Sequence, residues 1–170
     1  MGYTHYYYHT KPLSDDDWDL CVDAFSRIVT DASKDGMKLS EDADGTLSNH
    51  QIIARAWHRT DFAHGPVLRI NGIGEDSCET FTFWKNAAPR QPWQESENSY
   101  NGFMFVKTQR LPYDIVVTAF LCWVLSRLPD ALNAVNSDGG KTSWLPGAEM
   151  ADRIFPDLEI KTPKDLFMTD

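Results

Sequence analysis

The densest concentration of chemistry-bearing side chains is Lys107-Thr108-Gln109-Arg110-Leu111-Pro112-Tyr113-Asp114, where two cations and a hydroxyl precede a long apolar run. Pro112 sits where a first-turn proline belongs, so a helix is expected to begin there. The first N–H groups of a helix have no intrahelical acceptor, and the macrodipole adds positive potential at that end. Phosphate or carboxylate capture is physically natural at such a place. Arg110 can grip an anion through two parallel N–H donors, while Lys107 acts as a point charge. The competing reading is that both cations solvate a loop or pair with Asp114 and neighbouring acids.

Other constellations carry less. Ser137-Asp138-Gly139-Gly140-Lys141-Thr142-Ser143 contains Gly-Lys-Thr between an expected strand and helix, but Val135 stands where a phosphate loop needs its first glycine. The reading fails, and Asp138-Gly139 is better taken as a tight turn whose Asp138 and Lys141 can still face a ligand. Ser40 to Gln51 has the spacing of a calcium loop, yet Ser40 and Gln51 occupy the places that require carboxylates. His5, His9, His50, His58 and His64 show no metal spacing, so no metal site is expected. His5 shares one face of the first strand with Tyr3 and Tyr7, whereas Thr4, Tyr6 and Tyr8 line the other. Glu75, Asp76 and Glu79 can do acid–base work only if the fold places them in a cleft. Cys21 and Cys122 lie on core stripes, and Cys78 has no flanking cation to make it a reactive thiolate.

The elements that position these residues follow from periodicity. Tyr3 to His9 is aromatic-rich and reads as an opening strand. Ser14 followed by Asp15, Asp16 and Asp17 resembles a capping box, and Trp18, Val22, Phe25 and Val29 trace a helical stripe from about Asp15 to Ser33. Gly36 suits its C-terminal end. Ile52 to Trp57 is compatible with helix or strand. Val67 to Asn71 and Glu79 to Trp84 form an expected hairpin across Gly72 to Ser77. The stretch from 86 to 100, with Pro89 and Pro92, reads as a long surface loop. Gly102 to Lys107 is a strand, and Tyr113 to Leu128 is apolar almost all round, the pattern of a buried helix. Leu132 to Asn136 is a short strand, Trp144 to Phe155 a last helix, and the tail after Pro156 packs through Leu166 and Phe167 or frays. The expected fold is α+β: one domain over 1–170, a mostly antiparallel sheet of about five strands, and about three helices with one central and buried.

Composition bounds the function classes. The 170 residues carry 16 basic against 25 acidic side chains, a net charge of −9 that argues against a coat for bulk nucleic acid. A hydrophobic content of 42% with 12% aromatic residues argues against disorder. Three cysteines without a repeat suit a reducing compartment rather than a disulfide framework. MGYTHYYYHT lacks the apolar core of a signal peptide, and no run approaches the ~20 apolar residues of a membrane span. A cytoplasmic protein is expected.

Four blocks in order carry a resemblance that spans nearly the whole chain: Met1-Gly2-Tyr3-Thr4-His5-Tyr6, Ile70-Asn71-Gly72-Ile73-Gly74 with Glu79-Thr80-Phe81, Lys107-Thr108-x-Arg110-x-Pro112-Tyr113-Asp114, and Ser137-Asp138-Gly139. Together they resemble a family of small phage and bacterial proteins that open with MGYTHY. Cys78 and Val106 stand where that family often has His before Glu-Thr-Phe and Cys before Lys-Thr. The resemblance implies a phage or prophage setting, hence a host cytoplasm, and transfers no activity.

Two functional classes follow. In the first, a phage-encoded binding protein sequesters a small nucleotide, such as a cyclic or ADP-ribose-type defence signal, by stacking and phosphate capture. Tyr3, Tyr6, Tyr7, Trp84 and Trp93 offer aromatic faces, and His5, Asn71, Lys107, Thr108, Arg110 and Asp138 line the expected pocket. No cofactor is implied, and homo-oligomerisation is compatible with the aromatic content. In the second, a metal-independent hydrolase or phosphodiesterase uses His5 and Glu79 as acid–base partners, with Arg110 stabilising developing charge. A protein–protein inhibitor of a host factor, acting through its negative field, is a further alternative.

Overall fold

The computed structural model describes residues 2–41, 49–56, 60–61, 65–86 and 102–167. Trp93, His58, His64, most of the 86–100 stretch and most of the calcium-like loop lie outside the described residues. In chain order the elements are β1 (Thr4–His9), α1 (Asp15–Lys34), α2 (Asn49–Ala56), β2 (Thr60–Asp61), β3 (Gly65–Ile70), β4 (Phe81–Trp84), β5 (Gly102–Lys107), α3 (Asp114–Arg127), β6 (Leu132–Ser137), α4 (Leu145–Ile154) and α5 (Pro163–Phe167). The stretch from Ile52 is therefore helical. The fold is α+β with antiparallel strands, but they divide between two three-stranded sheets, ordered β5-β1-β6 and β2-β3-β4, rather than forming one. The sheets meet where Glu79 N–H donates to Lys107 O at 3.1 Å, and the Tyr7 hydroxyl donates to Thr82 O at 2.6 Å.

Local chemistry explains the helices. Ser14 caps α1 by accepting from Asp17 N–H at 3.1 Å, and three aspartates load its first turn. Gly36, at φ +80°, adopts the left-handed conformation that ends the helix. α3 is the spine of the core: Val116, Val117, Ala119, Leu121, Cys122 and Val124 are completely buried. Phe120 meets Phe25, Phe81 and Phe83 edge-on, joining α1, α3 and β4. α4 lies so close to α3 that a Cβ on Gly147 would fall 2.1 Å from Thr118 Oγ1. Among the described residues no helix is long and apolar enough to cross a membrane.

β1 is the central strand of its sheet and pairs along both edges. His5 faces Val106 on β5 and Ser137 on β6, while Tyr6 faces Phe105 and Asn136. From His5 onward its burial alternates: His5, Tyr7 and His9 are buried, whereas Tyr6 is half-buried and Tyr8 exposed, and Thr4 at the start of the strand is buried as well. The bare Cα of Gly102 lets β5 approach, since a Cβ there would lie 2.4 Å from His9 O.

Candidate functional site

The residues singled out around β1 gather at the end of the sheet where β1 begins and β5 and β6 end. On the inner face, His5 is wholly buried and its Nε2 lies 2.6 Å from Asp114 Oδ1. The Thr108 hydroxyl donates to the same carboxylate oxygen. The other ring nitrogen, His5 Nδ1, has no partner among the described residues. Tyr3 and Trp144 pack edge-on against the imidazole, each at 5.0 Å between centroids. Ser137 Oγ accepts from Trp144 Nε1 at 3.1 Å, closing this layer.

Arg110 lies on the rim. Its guanidinium stacks over the Tyr3 ring at 4.0 Å and donates to Ser143 Oγ at 3.2 Å, both neutral partners. This posture comes from a tight turn, closed by Leu111 N–H donating to Thr108 O at 3.1 Å. Both central residues, Gln109 at φ 54° and Arg110 at φ 58°, are left-handed, a combination usually given to Asn and Gly. Such backbone costs roughly 1–2 kcal/mol per residue. Lys107 has its backbone N–H on Glu79 Oε2 at 2.7 Å, and its side-chain stem runs beside Gly2. Neither cation forms an ion pair with a described residue. Asp138 accepts from Thr4 N–H at 3.0 Å and from the Tyr6 hydroxyl at 3.1 Å, which places it at the end of the outer face.

Three expectations need correction. The N–H groups at the start of α3 are not open to an anion. Asp114, Ile115, Val116 and Val117 donate back to Leu111, Pro112 and Tyr113, and the carboxylate of Asp114 already supplies negative charge there. Asn71 belongs to a different loop: its amide donates to Cys78 O and Thr80 Oγ1 and accepts from Gly72 and Cys78 N–H, so the 72–78 turn saturates it. Glu79 is engaged by Lys107 N–H, and the carboxylate on His5 is Asp114, so the His5–Glu79 acid–base pair is not formed. Asp114 was legible only as a neighbour of Arg110, because its partner on β1 is 109 positions away.

The aromatic inventory also shifts. Tyr3, Tyr7 and Trp84 are core residues. The aromatic surface is instead Tyr6, Tyr8, Phe103 and Phe105 on the outer face of β1 and β5, with Tyr8 at 38% and Phe105 at 46% exposure. The alternation Phe103-x-Phe105-x-Lys107 is the signal that points to it. Among the described residues no cluster of three or more His, Cys, Asp or Glu side chains can hold a metal ion. Burial pushes the Cys21 thiol up and the Cys122 thiol to about 12, which leaves both unreactive. No family model matches the chain, and neither does any curated protein or solved structure.

Proposed function

We propose that this protein binds and sequesters a small nucleotide, its phosphate gripped by Arg110 with Lys107 as a second cation. One observation carries the reading: a strained turn holds the Arg110 guanidinium at the surface, on a tyrosine ring and a serine hydroxyl, without an ion pair to any described carboxylate. Strained backbone persists where surrounding structure enforces it, and such sites cluster at ligand clamps. In a chain of net charge −9, an exposed arginine with no ion pair to a described acid is ready to exchange a neutral contact for a phosphate. The negative field of the whole disfavours long nucleic acids and leaves small ligands favoured. In the phage or prophage setting that the MGYTHY resemblance implies, the sequestered nucleotide is a cyclic or ADP-ribose-type defence signal.

A hydrolytic reading has weaker support, since His5 is wholly buried and its ring nitrogen is committed to Asp114. Calorimetry with a panel of mononucleotides, cyclic nucleotides and ADP-ribose tests the proposal. Arg110→Ala is expected to weaken the bound nucleotide by about 1.5–3 kcal/mol, the usual worth of a hydrogen bond to a charged group. The ligand should be recovered chemically intact after heating. Failure of the wild-type protein to bind any of the panel sinks the idea.

A further inference from the structure

We infer that the outer face of the β5-β1-β6 sheet is a nucleobase-stacking platform and that the ligand carries two bases joined through phosphate. The inference deepens the reading above and rests on it for the nucleotide class; its aromatic residues are separate from Arg110, and Lys107 is shared between the two. On this face Tyr6 lies opposite Phe105, and Tyr8 opposite Phe103, which makes two aromatic rungs. Each rung contributes one exposed ring, Tyr8 at 38% and Phe105 at 46% exposure, while Tyr6 and Phe103 are half-buried and pack against each other across the rungs. The Tyr6 and Phe103 rings are parallel to within 8°, and Tyr8 closes on Phe103 at 4.8 Å. Antiparallel sheets with exposed aromatics on adjacent strands stack two or three bases in single-stranded recognition, because every base has a π-face.

Charge on the platform fits a short ligand. Lys107, opposite Thr4, is the next outward residue after Phe105 on β5. On the other flank, Lys164 donates to Asn136 Oδ1 at 3.0 Å, and Asn136 lies opposite Tyr6. Neither ammonium is in an ion pair with a described residue. Two cations beside two ring positions, set against the Asp138 carboxylate that accepts from the Tyr6 hydroxyl, suit the few phosphates of a dinucleotide. They do not offset the repulsion that a chain of charge −9 exerts on a long polyanion.

Calorimetry with 5′-phosphorylated diadenylate and with adenosine monophosphate tests this, on wild type, Phe105→Ala, Tyr8→Ala and Arg110→Ala. Both aromatic positions are exposed, so truncation leaves the core intact, and thermal melts verify it. The expected result is that diadenylate binds at least tenfold more tightly than the monophosphate, and that Phe105→Ala and Tyr8→Ala each remove about tenfold of that affinity. Equal affinity for the two ligands, with loss confined to Arg110→Ala, overturns the platform and leaves the Arg110 reading standing. Loss in the aromatic variants with Arg110→Ala unchanged does the reverse. If neither ligand binds and sedimentation shows a dimer dissolved by Phe105→Glu, the face belongs to a second copy and the inference is overturned.

Discussion

The two faces of β1 are built from the same few consecutive residues and do opposite things. Inward, His5, Asp114 and Thr108 form a buried polar cluster in which nearly every group has a partner inside the fold. Outward, Tyr6 and Tyr8 meet Phe103 on a surface whose cations are not neutralised by described acids. Buried polar groups are costly unless satisfied, so the inner cluster is committed to stability. The exposed rings of Tyr8 and Phe105 contribute little to folding, which is what lets the proposed recognition use the outer face. A period of two is enough to keep both roles on one strand without interference.

The sharpest way to break this contrast is Asp114→Ala. It would leave His5 and Thr108 buried without their shared acceptor, and removing one member of a buried charged network costs roughly 3–5 kcal/mol. Asp114→Asn keeps an acceptor and should cost less, about 1.5–3 kcal/mol, for the lost charge assistance. Urea unfolding measures both. A loss below about 0.5 kcal/mol for Asp114→Ala, the range of surface substitutions, would show that the inner cluster is not structural.

A second probe of the inner face uses pH. His9 lies against Phe83 at 4.7 Å between centroids, and burial lowers its pKa from 6.5 to about 4. The folded protein therefore keeps His9 neutral while the unfolded chain protonates it. Between these two values the unfolded state binds more protons, so stability falls as acid is added below pH 6.5 and this loss levels off near pH 4. At about 1.36 kcal/mol per unit the window is worth roughly 3 kcal/mol. Denaturant melts of wild type and His9→Gln across the window isolate it: the difference between them should shrink with acid, and parallel curves would refute the assignment.

How much of this was legible beforehand differs between fold and site. Local signals located the elements: Ser14 and its aspartates placed the start of α1, and Pro112 with an all-round apolar run announced α3. The alternation in Tyr3–His9 predicted which side chains of β1 turn inward. What could not be read was the division into two sheets. β1 finds both partners more than ninety positions away, and such pairing depends on packing rather than on any local pattern. The same holds for the site. Lys107, Arg110 and Asp138 were visible as residue types near a turn, but the Asp114–His5 pair and the loss of Asn71 to its own loop needed tertiary contacts. The left-handed Gln109-Arg110 pair carried no warning at all, since neither residue type favours that conformation.

That turn supplies the mildest and most discriminating test. If Gln109 is held at φ 54° by its surroundings, with its N–H on Tyr3 O at 3.2 Å, then Gln109→Gly should relieve strain while keeping the hydrogen bond. Glycine gains roughly 1–2 kcal/mol in the left-handed region and loses about 0.5–1 kcal/mol through its freer unfolded chain, so a net stabilisation of about 0.5–1 kcal/mol is expected. The same replacement loosens the platform from which Arg110 reaches across Tyr3. A turn built for recognition should then lose nucleotide affinity as it gains stability, the trade expected where strain serves function. Paired urea melts and calorimetry read both quantities on one variant. Stability and affinity rising together would show instead that the conformation of Gln109 serves neither the fold nor the ligand.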